Sequence, residues 1–250
     1  MTSAERRKRY DEVRRQWPEL FANPPEAGYT ILFESALVAA AETEEKNRLV
    51  SRSLPDSWSC TGVVYEDPYM IVLRDAVRRP DGSLGTYVRT MPASGAAGAA
   101  VLPIFEGRIV LLRHFRHATR TWHLEIPRGY GEPGVSDVDQ ARQELHEEIG
   151  AHADDLVDLG IFHSNTGTAT DLVALFLAEI DTLGKPQASE GISSIETHPS
   201  HQVAQEILTG RISDSFTIGA FTRAWLRGLL PGLPLPTLPP GNSTAEGASL

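Results

Sequence analysis

Apolar residues recur at intervals of three and four positions in two segments near the start of the chain. The first segment runs from Ala4 to Leu20 and is otherwise rich in charged, helix-forming residues. The second runs from Ile31 to Arg48 and changes from alanine-rich to charged. This spacing predicts two helices. We interpret residues 1–60 as a helical N-terminal extension.

The pattern then changes to extended, β-branched segments. Tyr69 to Val77 and Thr86 to Val88 are separated by turn-forming residues and predict an antiparallel hairpin within residues 61–95. A second hairpin is predicted from Ala99 to Phe105 and Arg108 to Leu112. The first hairpin would form a small antiparallel sheet of its own.

The C-terminal half alternates between the two patterns. Leu172 to Ile180 is an almost unbroken apolar strand, and Ser200 to Thr209 and Thr217 to Leu229 have helical periodicity. Strands and helices in this order favour a layered α/β or α+β domain, which we place at residues 96–228. Residues 229–250 are rich in Pro, Gly and Ser and predict a disordered tail.

Composition excludes several classes of protein. The formal net charge is −10, which disfavours a general nucleic-acid or anionic-membrane surface, because both need clustered positive charge. Cys60 is the only cysteine, so the chain can form neither an internal disulfide nor a cysteine-based zinc site. No apolar run approaches the length of a membrane span, and the first residues lack the apolar core of a signal peptide. We expect a soluble cytoplasmic protein with no nucleic-acid or membrane partner.

The segment with the strongest chemical signal is IPRGYGEPGVSDVDQARQELHEEIG, residues 126–150. Ser136 can cap a helix, with Asp139 three positions later, and Gly150 stands where a helix would end. A helix is therefore predicted from Asp137 to Ile149, preceded by a glycine-rich loop.

This helix carries an apolar stripe beside three carboxylates. Glu144, Glu147 and Glu148 stand at i, i+3 and i+4, where like charges repel each other. A divalent cation would relieve the repulsion, and Mg²⁺ prefers carboxylate, water and phosphate oxygens. A solvated acidic face is the alternative, but the glycines before the helix favour a metal site. The apolar stripe consists of Val138, Ala141, Leu145 and Ile149.

This segment resembles the Nudix box, in which a Gly, five residues, a Glu and seven residues precede Arg-Glu-apolar-x-Glu-Glu-x-Gly-apolar. Gly129 matches the first glycine, and residues 144–151 match the end in register. Val135 and Gln143 replace the Glu and the Arg of the pattern. In the family these two side chains are thought to brace loop against helix, so the loss of both leaves no unpaired charge. Arg142 points about 100° away on a helix and is not a direct substitute.

The stretch before the box, VLLRHFRHATRTWHLEIPRGYGE, is similar to that of ADP-ribose pyrophosphatases and related nucleotide-sugar hydrolases. The resemblance implies that Arg116, Glu125 and Arg128 form the substrate-binding set. Arg116 would contact the diphosphate or ribose, Glu125 would be a further carboxylate near the metal, and the Arg128 carbonyl would be a candidate ligand. A surface salt bridge is the alternative role for Arg116.

The resemblance covers roughly residues 61–228 and also implies the fold and the assembly. It predicts an α+β protein with the α/β/α sandwich of the Nudix fold, a small N-terminal antiparallel sheet and the helical extension. The PDGSLGTYV hairpin is similar to the small sheet that members of this subfamily often exchange between the subunits of a dimer. A homodimer is therefore expected.

The implied activity is metal-dependent hydrolysis of the diphosphate bond of a nucleotide-sugar such as ADP-ribose. Two or three Mg²⁺ or Mn²⁺ ions would be held by Glu144, Glu147 and Glu148. The products would be a nucleoside monophosphate and a sugar phosphate. Related enzymes place a further acid on a loop after the box, and we favour Glu190 as the general base over Asp171.

Two other functions remain open at this point. A non-catalytic nucleotide-binding sensor or scaffold is consistent with the altered box, and a hydrolase of another nucleoside diphosphate derivative, such as GDP-mannose, would use the same residues. Four histidines surround the motif region, but none has the spacing of a zinc site, so we interpret them as core or pocket residues. They are His114, His117, His123 and His163.

Overall fold

The computed structural model describes residues 2–185 and 188–236. The chain separates into two compact units, and each is described by itself. The tail predicted at residues 229–250 falls mostly outside the described residues, from 237 onward. The first unit comprises Met1–Gly98, Tyr130–Gln140 and Ile161–Val173. The second comprises Ala99–Gly129, Ala141–Gly160 and Ala174–Leu250.

The first unit begins with the two expected helices. Helix α1 spans Ser3–Gln16, and helix α2 spans Ser35–Ser51. The prediction extended α1 to Leu20, but the helix ends earlier because Pro18 begins a separate 3₁₀ turn. The prediction also began α2 too early, since Ile31 belongs to a strand.

A four-stranded antiparallel sheet completes this unit, with β3 at its centre. The predicted hairpin is confirmed as β3 and β4, which pair along their whole length. An apolar cluster that includes Tyr10, Val13 and Phe21 packs with buried residues of β2, β3 and β4. The strands are β1 Thr30–Ile31, β2 Gly62–Glu66, β3 Met70–Arg78 and β4 Leu84–Pro92.

A buried carboxylate links α1 to this sheet. Asp75 on β3 is 3% exposed and accepts a hydrogen bond from the Tyr10 hydroxyl at 2.5 Å. The Arg89 Nε donates to the other carboxylate oxygen at 2.7 Å. Arg89 also donates to the Leu20 carbonyl at 2.7 Å and stacks on the Phe21 ring. The N-terminal extension is thus joined to the sheet by a polar network inside an apolar core.

The second unit contains most of a seven-stranded sheet with the order β11-β6-β5-β10-β9, in which β7 also pairs with β6 and β8 with β5. The predicted second hairpin and the strand Leu172–Ile180 are confirmed. Four further strands, β7, β8, β9 and β11, were not predicted. The strands are β5 Gly98–Phe105, β6 Arg108–Arg116, β7 Thr121–Glu125, β8 Arg128–Gly129, β9 Val157–His163, β10 Leu172–Ile180 and β11 Ile192–His198.

Three helices accompany this sheet. Helix α3 spans Asp137–Ile149, as predicted, while α4 spans Ser200–Leu208 and α5 spans Ser215–Leu226. The prediction placed the start of α5 two residues too late. The result is the mixed α+β fold expected from the sequence.

Helix α3 is anchored by its apolar stripe. Ala141, Leu145 and Ile149 are fully buried in a cluster with side chains of β5, β6 and β10, whereas Val138 is 36% exposed. The helix ends at Gly150, whose φ of 62° favours glycine. A Cβ at Gly150 would also come within 2.9 Å of the Gly184 Cα. The stripe was therefore predicted correctly except at its first position.

The expectation that the chain has no membrane span can be compared with the length and apolar character of its helices. In the part of the chain that the structure describes, no helix combines the length and the apolar character needed to cross a bilayer.

Candidate active site

The three carboxylates of α3 lie in different environments. Glu144 is 7% exposed and Glu148 is 2% exposed. Glu147 is exposed, and its Oε1 accepts a hydrogen bond from the Gln143 Nε2 at 3.0 Å. The buried pair therefore differs from Glu147, although all three were predicted as metal ligands.

The position of Glu148 is set by the chain just before α3. Its Oε2 accepts a hydrogen bond from the Arg128 backbone N–H at 3.1 Å. Burial and the charge of nearby Glu144 raise the pKa of Glu148 to about 8, and Glu190 adds to the effect. The Arg128 N–H and the charge of Arg116 act in the opposite direction without cancelling it. A buried carboxylate with a raised pKa attracts a compensating cation.

Gly129 leaves room for the other buried carboxylate. A Cβ at Gly129 would come within 2.0 Å of the Glu144 Oε1 and within 2.4 Å of its Oε2. The first glycine of the motif is therefore needed for a steric reason. Any larger residue would displace the Glu144 carboxylate.

A second cluster surrounds Glu125, which is 1% exposed. Its Oε1 lies 3.0 Å from the His114 Nδ1 and 2.5 Å from the Arg116 Nη2. Its Oε2 lies 3.6 Å from the Arg128 Nη2. Burial raises the pKa of Glu125, but His114, Arg128 and Arg116 together outweigh burial and lower it. This arrangement suits Glu125 to positioning the two arginines.

The arginines of this cluster retain unused donors. The Nε of Arg116 and the Nε of Arg128 are buried atoms without a hydrogen-bond partner among the described residues. The Arg116 Nη2 is already engaged in its 2.5 Å ion pair with Glu125 and is not one of the unused donors. Buried donors of this kind are normally satisfied, and phosphate oxygens match the geometry of a guanidinium.

Helix α5 supports the cluster from another side, which the sequence analysis missed. Asp214 caps the helix by accepting from the Thr217 backbone N–H at 2.8 Å, and its other oxygen lies 3.7 Å from the Arg128 Nη2. The Arg128 guanidinium also stacks 5.0 Å from the centre of the Phe216 ring. The sequence could have revealed Asp214 as a helix cap, but no local pattern indicates its contact with Arg128.

Thr217 connects α5 to the motif itself. Its hydroxyl oxygen accepts a hydrogen bond from the buried Ile126 backbone N–H at 3.0 Å. The same hydroxyl donates to Asp214 at 2.7 Å. The backbone leading to Arg128 is therefore held by a side chain 91 positions later in the chain. No local pattern in the sequence indicates this contact.

The two candidate bases occupy different units. Glu190 is exposed, ends the short 3₁₀ turn Ala188–Glu190 and lies close enough to Glu148 to affect its pKa. It was expected on a long polar loop, but strand β11 begins two residues later and pairs with β6. Asp171 belongs to the first unit, where its Oδ2 accepts a hydrogen bond from the Ser164 hydroxyl at 2.5 Å.

The loop before α3 is braced without the residues that the motif would use. The Glu132 backbone N–H donates to the Gln140 Oε1 at 3.3 Å, and Gln140 is buried. The predicted cap is confirmed, since the Asp139 N–H donates to the Ser136 hydroxyl at 3.1 Å. The neutral side-chain amide of Gln140 thus braces the loop against the helix. Val135 occupies the position at which the motif has a glutamate.

Only one of the four histidines belongs to this site. His114 is buried against Glu125. The ring of His117 contacts Arg120, and the ring of His123 contacts Thr119, each at 2.7 Å. His163 is exposed. Within residues 2–185 and 188–236, no three His, Cys, Asp or Glu side chains form a ready-made metal site.

The donor set nevertheless fits Mg²⁺ or Mn²⁺. Magnesium commonly uses one or two carboxylates and completes its shell with water and substrate phosphates. Glu144 and Glu148 supply two buried carboxylates whose mutual repulsion contributes to the raised pKa of Glu148. A divalent cation would remove this repulsion. The residues therefore fit a metal that is shared with a phosphate.

Comparison with known proteins gives three related results. The model of the NUDIX domain matches residues 95–216. The ADP-ribose pyrophosphatase of Bacillus subtilis (strain 168) is 36% identical over 30% of this chain, and the ADP compounds hydrolase NudE of Escherichia coli (strain K12) is 32% identical over 32% of it. These matches span 40% and 42% of the two relatives, less than half of either.

A longer match and a structural match extend this result. The GDP-mannose pyrophosphatase of Cronobacter sakazakii (strain ATCC BAA-894) is 27% identical over 61% of this chain and 85% of the relative. The crystal structure of an ADP compounds hydrolase superposes with a TM-score of 0.57 at 20% identity, over 67% of this chain and 92% of the other. This structural match supports the fold.

Proposed function

We propose, from the NUDIX domain matched at residues 95–216, that this chain is a Nudix hydrolase that cleaves the diphosphate bond of a nucleoside-diphosphate-sugar such as ADP-ribose. The observation that carries the proposal is the close association of two buried carboxylates with two arginines that keep unused donors. The carboxylates are Glu144 and Glu148, and the arginines are Arg116 and Arg128.

The two halves of this site suit the two needs of diphosphate hydrolysis. Glu144 and Glu148 would hold Mg²⁺ or Mn²⁺, with exposed Glu147 near them. Bound there, two or three such ions would neutralise charge on the diphosphate and lower the pKa of an attacking water. The unused donors of Arg116 and Arg128 would bind the phosphate oxygens.

In the reaction, water attacks one phosphorus and the bond from that phosphorus to the bridging oxygen breaks. The bridging oxygen leaves with the other phosphate, so the products are a nucleoside monophosphate and a sugar phosphate. Glu190 would accept the proton of the water, because it is exposed and lies within electrostatic range of Glu148. Asp171 is the second candidate for this role. Glu125 would hold the arginines in place.

The choice of substrate rests on the relatives. Two relatives are named for ADP-ribose or ADP compounds, and the one with the longest match is named for GDP-mannose. All three names describe nucleotide derivatives. The GDP-mannose match covers 85% of its relative, so GDP-mannose is the second candidate substrate. A non-catalytic sensor would bind these compounds without cleaving them.

A panel experiment tests the proposal. The purified chain is incubated with ADP-ribose, another ADP-sugar, GDP-mannose and a dinucleoside polyphosphate, each with Mg²⁺, with Mn²⁺ or with EDTA, and release of monophosphate is measured. We expect metal-dependent release from at least one nucleotide-sugar. Binding without release from any of them would support the sensor instead.

Four variants locate the chemistry. Glu148→Gln should abolish release with the fold intact, whereas Glu179→Gln, which alters an exposed glutamate on β10, should not. Glu190→Gln and Asp171→Asn should differ, with only Glu190→Gln lowering kcat. Full activity in Glu148→Gln would contradict the proposed site.

We also propose the cellular compartment and the oligomeric state of the enzyme. A single cysteine suits a reducing cytoplasm, and no described helix could cross a membrane. A homodimer is expected from the similarity of the β3–β4 hairpin to a sheet that related enzymes exchange between subunits. Light scattering of the purified chain would give its mass directly.

A further inference from the structure

The first unit contains an open cleft between α1, the start of α2, and strands β2 and β3. Its cavity volume is about 110 Å³, which is below the range of drug-sized ligand sites but leaves room for a phosphate group. All of its lining residues lie in the N-terminal 76 positions of the chain, outside the active-site residues. We call it the α1–β3 cleft, and its lining includes Arg7, Tyr10, Asp11, Phe33, Thr61 and Arg74.

Arg74 enters this cleft without an acidic partner. Its Nη1 is 3.4 Å from the Cys60 carbonyl, and no carboxylate of the described residues lies within ion-pair distance. The pKa of Arg74 is lowered, first by burial and then by the charge of Arg6, although Cys60 and Glu45 act in the other direction. A half-buried guanidinium without an ion-pair partner is poorly solvated and therefore favours a bound anion.

The acidic side chains near Arg74 already form hydrogen bonds or ion pairs with other residues. Glu42 pairs with Arg7 at 2.9 Å and also accepts from the Thr61 backbone and hydroxyl at 2.9 and 2.6 Å. Asp75, the neighbour of Arg74 on β3, is bonded to Tyr10 and Arg89. These contacts leave the carboxylates unable to turn toward Arg74 without breaking hydrogen bonds.

Arg7 adds a second set of donors. One of its Nη atoms binds Glu42, but its Nε is buried without a hydrogen-bond partner in the described residues, and so is the Nε of Arg6. Asp11, the one acid that lines the cleft, pairs with Arg14 at 3.5 Å and is 55% exposed. The charged side chains that line the cleft are therefore two arginines, Arg7 and Arg74, and one aspartate that is paired elsewhere.

The close approach of α1 to the sheet makes this arrangement. Gly62 has a φ of 110°, and a Cβ there would come within 2.9 Å of the Arg6 backbone. Glycine therefore allows the first turns of α1 to lie against β2. This packing brings Arg6 within electrostatic range of Arg74 and places Arg7 in the lining of the same cleft.

We propose that the α1–β3 cleft binds a small phosphate ester, with its phosphate between Arg7 and Arg74. Guanidinium groups present paired donors that match phosphate oxygens. Leu32, Phe33 and Ala76 give the cleft an apolar wall for the remainder of the ligand. This site is separate from the active site and does not depend on the proposed hydrolysis.

Titration of the full-length chain tests this site, with inorganic phosphate, ribose 5-phosphate and a nucleoside monophosphate as probes. EDTA is present throughout, so that metal-assisted binding at Glu144 and Glu148 is removed. We expect one site per chain. Tighter binding of an ester than of inorganic phosphate identifies an ester site, whereas equal binding of all three probes would overturn the ester assignment.

Three variants separate this cleft from the active site. Arg74→Met should weaken binding by at least about tenfold, the loss expected for a charge-assisted contact. Arg78→Met alters an exposed arginine on the same strand and should bind as the wild type does. Arg116→Met should also bind normally. Loss in Arg116→Met with retention in Arg74→Met would assign the anion to the active site and overturn the proposal.

Stability distinguishes a binding residue from a packing residue. Without ligand, Arg74→Met should unfold at the same temperature as the wild type or a higher one, because an unpaired desolvated cation is removed. Arg74→Lys keeps the charge but loses the paired donors, and should bind more weakly than the wild type yet more tightly than Arg74→Met. A large fall in Tm for Arg74→Met, or no binding by the wild type at about 10 mM probe, would overturn the proposal.

Discussion

Gly129 lies so close to Glu144 that a single added methyl group would overlap the Glu144 carboxylate, with only 2.0 Å between the new Cβ and Oε1. The obstacle is the far end of a flexible side chain. The backbone can therefore stay in place while the carboxylate moves. This separates the effect on activity from the effect on stability.

Gly129→Ala should accordingly keep the fold and lose activity. Displacing a metal-binding carboxylate by about 1 Å or more should cost on the order of 100-fold in rate. Monophosphate release and thermal unfolding measure the two effects. Gly131→Ala provides the contrast, because its Cβ would meet the Ala97 carbonyl oxygen at 2.0 Å and should lower Tm. An active Gly129→Ala enzyme would mean that Glu144 is dispensable.

The raised pKa of Glu148 predicts the pH dependence of the metal-free protein. The folded state keeps the proton up to about pH 8, whereas an unfolded glutamate releases it near its ordinary pKa of 4.5. The free energy of unfolding should therefore fall, by a few kcal/mol at most, as the pH rises between these values, and level off above them. Denaturant titrations in EDTA at pH 5 to 9 measure this.

Glu148→Gln and added metal give the two controls for that pH dependence. The variant cannot release a proton at this position, so its stability should change less with pH than that of the wild type. Mg²⁺ or Mn²⁺ should restore stability to the wild type at pH 8 and have little effect on the variant. Equal pH profiles for the two proteins would contradict the raised pKa.

Thr217→Val should destabilise the protein because the buried Ile126 N–H loses its acceptor. The expected cost is about 1 to 3 kcal/mol, the usual penalty for an unsatisfied buried group. Thr217→Ser keeps the hydroxyl and should recover most of this loss. Chemical denaturation measures both variants. A loss in Thr217→Ser with none in Thr217→Val would assign the role of Thr217 to its methyl group.

Asp214→Asn should alter activity more than stability. An asparagine can still cap α5, but it removes the negative charge that lies 3.7 Å from the Arg128 Nη2. We expect a rise in KM of about tenfold, since Arg128 would be less well placed for the diphosphate. Asp214→Ala should add a loss of about 1 kcal/mol in stability. An unchanged KM in Asp214→Asn would show that Arg128 is held by other contacts.

Arg89→Met tests the buried network of the first unit. It would leave the Asp75 carboxylate without its ion pair, which should cost about 3 to 5 kcal/mol. Tyr10→Phe should cost much less, because Arg89 remains to neutralise Asp75. Thermal unfolding compares the two. A smaller loss in Arg89→Met than in Tyr10→Phe would contradict this account.

The elements that could be predicted are those with strong local patterns. Helix α3 was predicted to the residue because Ser136 caps it, Gly150 ends it and its apolar stripe has a clear period. The strand Leu172–Ile180 was equally clear because it is buried along most of its length. Short strands with polar residues, such as β11, have no comparable pattern, because pairing with β6 determines them.

The active-site residues also divide into those that a local sequence pattern identifies and those that tertiary contacts determine. The motif identified Glu144 and Glu148, but their burial and the exposure of Glu147 depend on how α3 packs. His114 and Asp214 were not assigned to the site, because each reaches it through tertiary contacts. The motif thus indicates which chemistry is present, while the contacts between distant segments decide how it is supported.

The pairing of β6 has a consequence for folding. On one side its residues pair with β7, placing Leu112 opposite Glu125, and on the other side they pair with β11, placing His114 opposite Ile192. A shift of one position would turn Arg116 to the other face of the sheet and leave Glu125 as a lone buried charge. The cluster of charged residues around Glu125 therefore raises the free energy of misaligned strand pairings. The residues proposed for substrate binding thus also help to select the correct register as the chain folds.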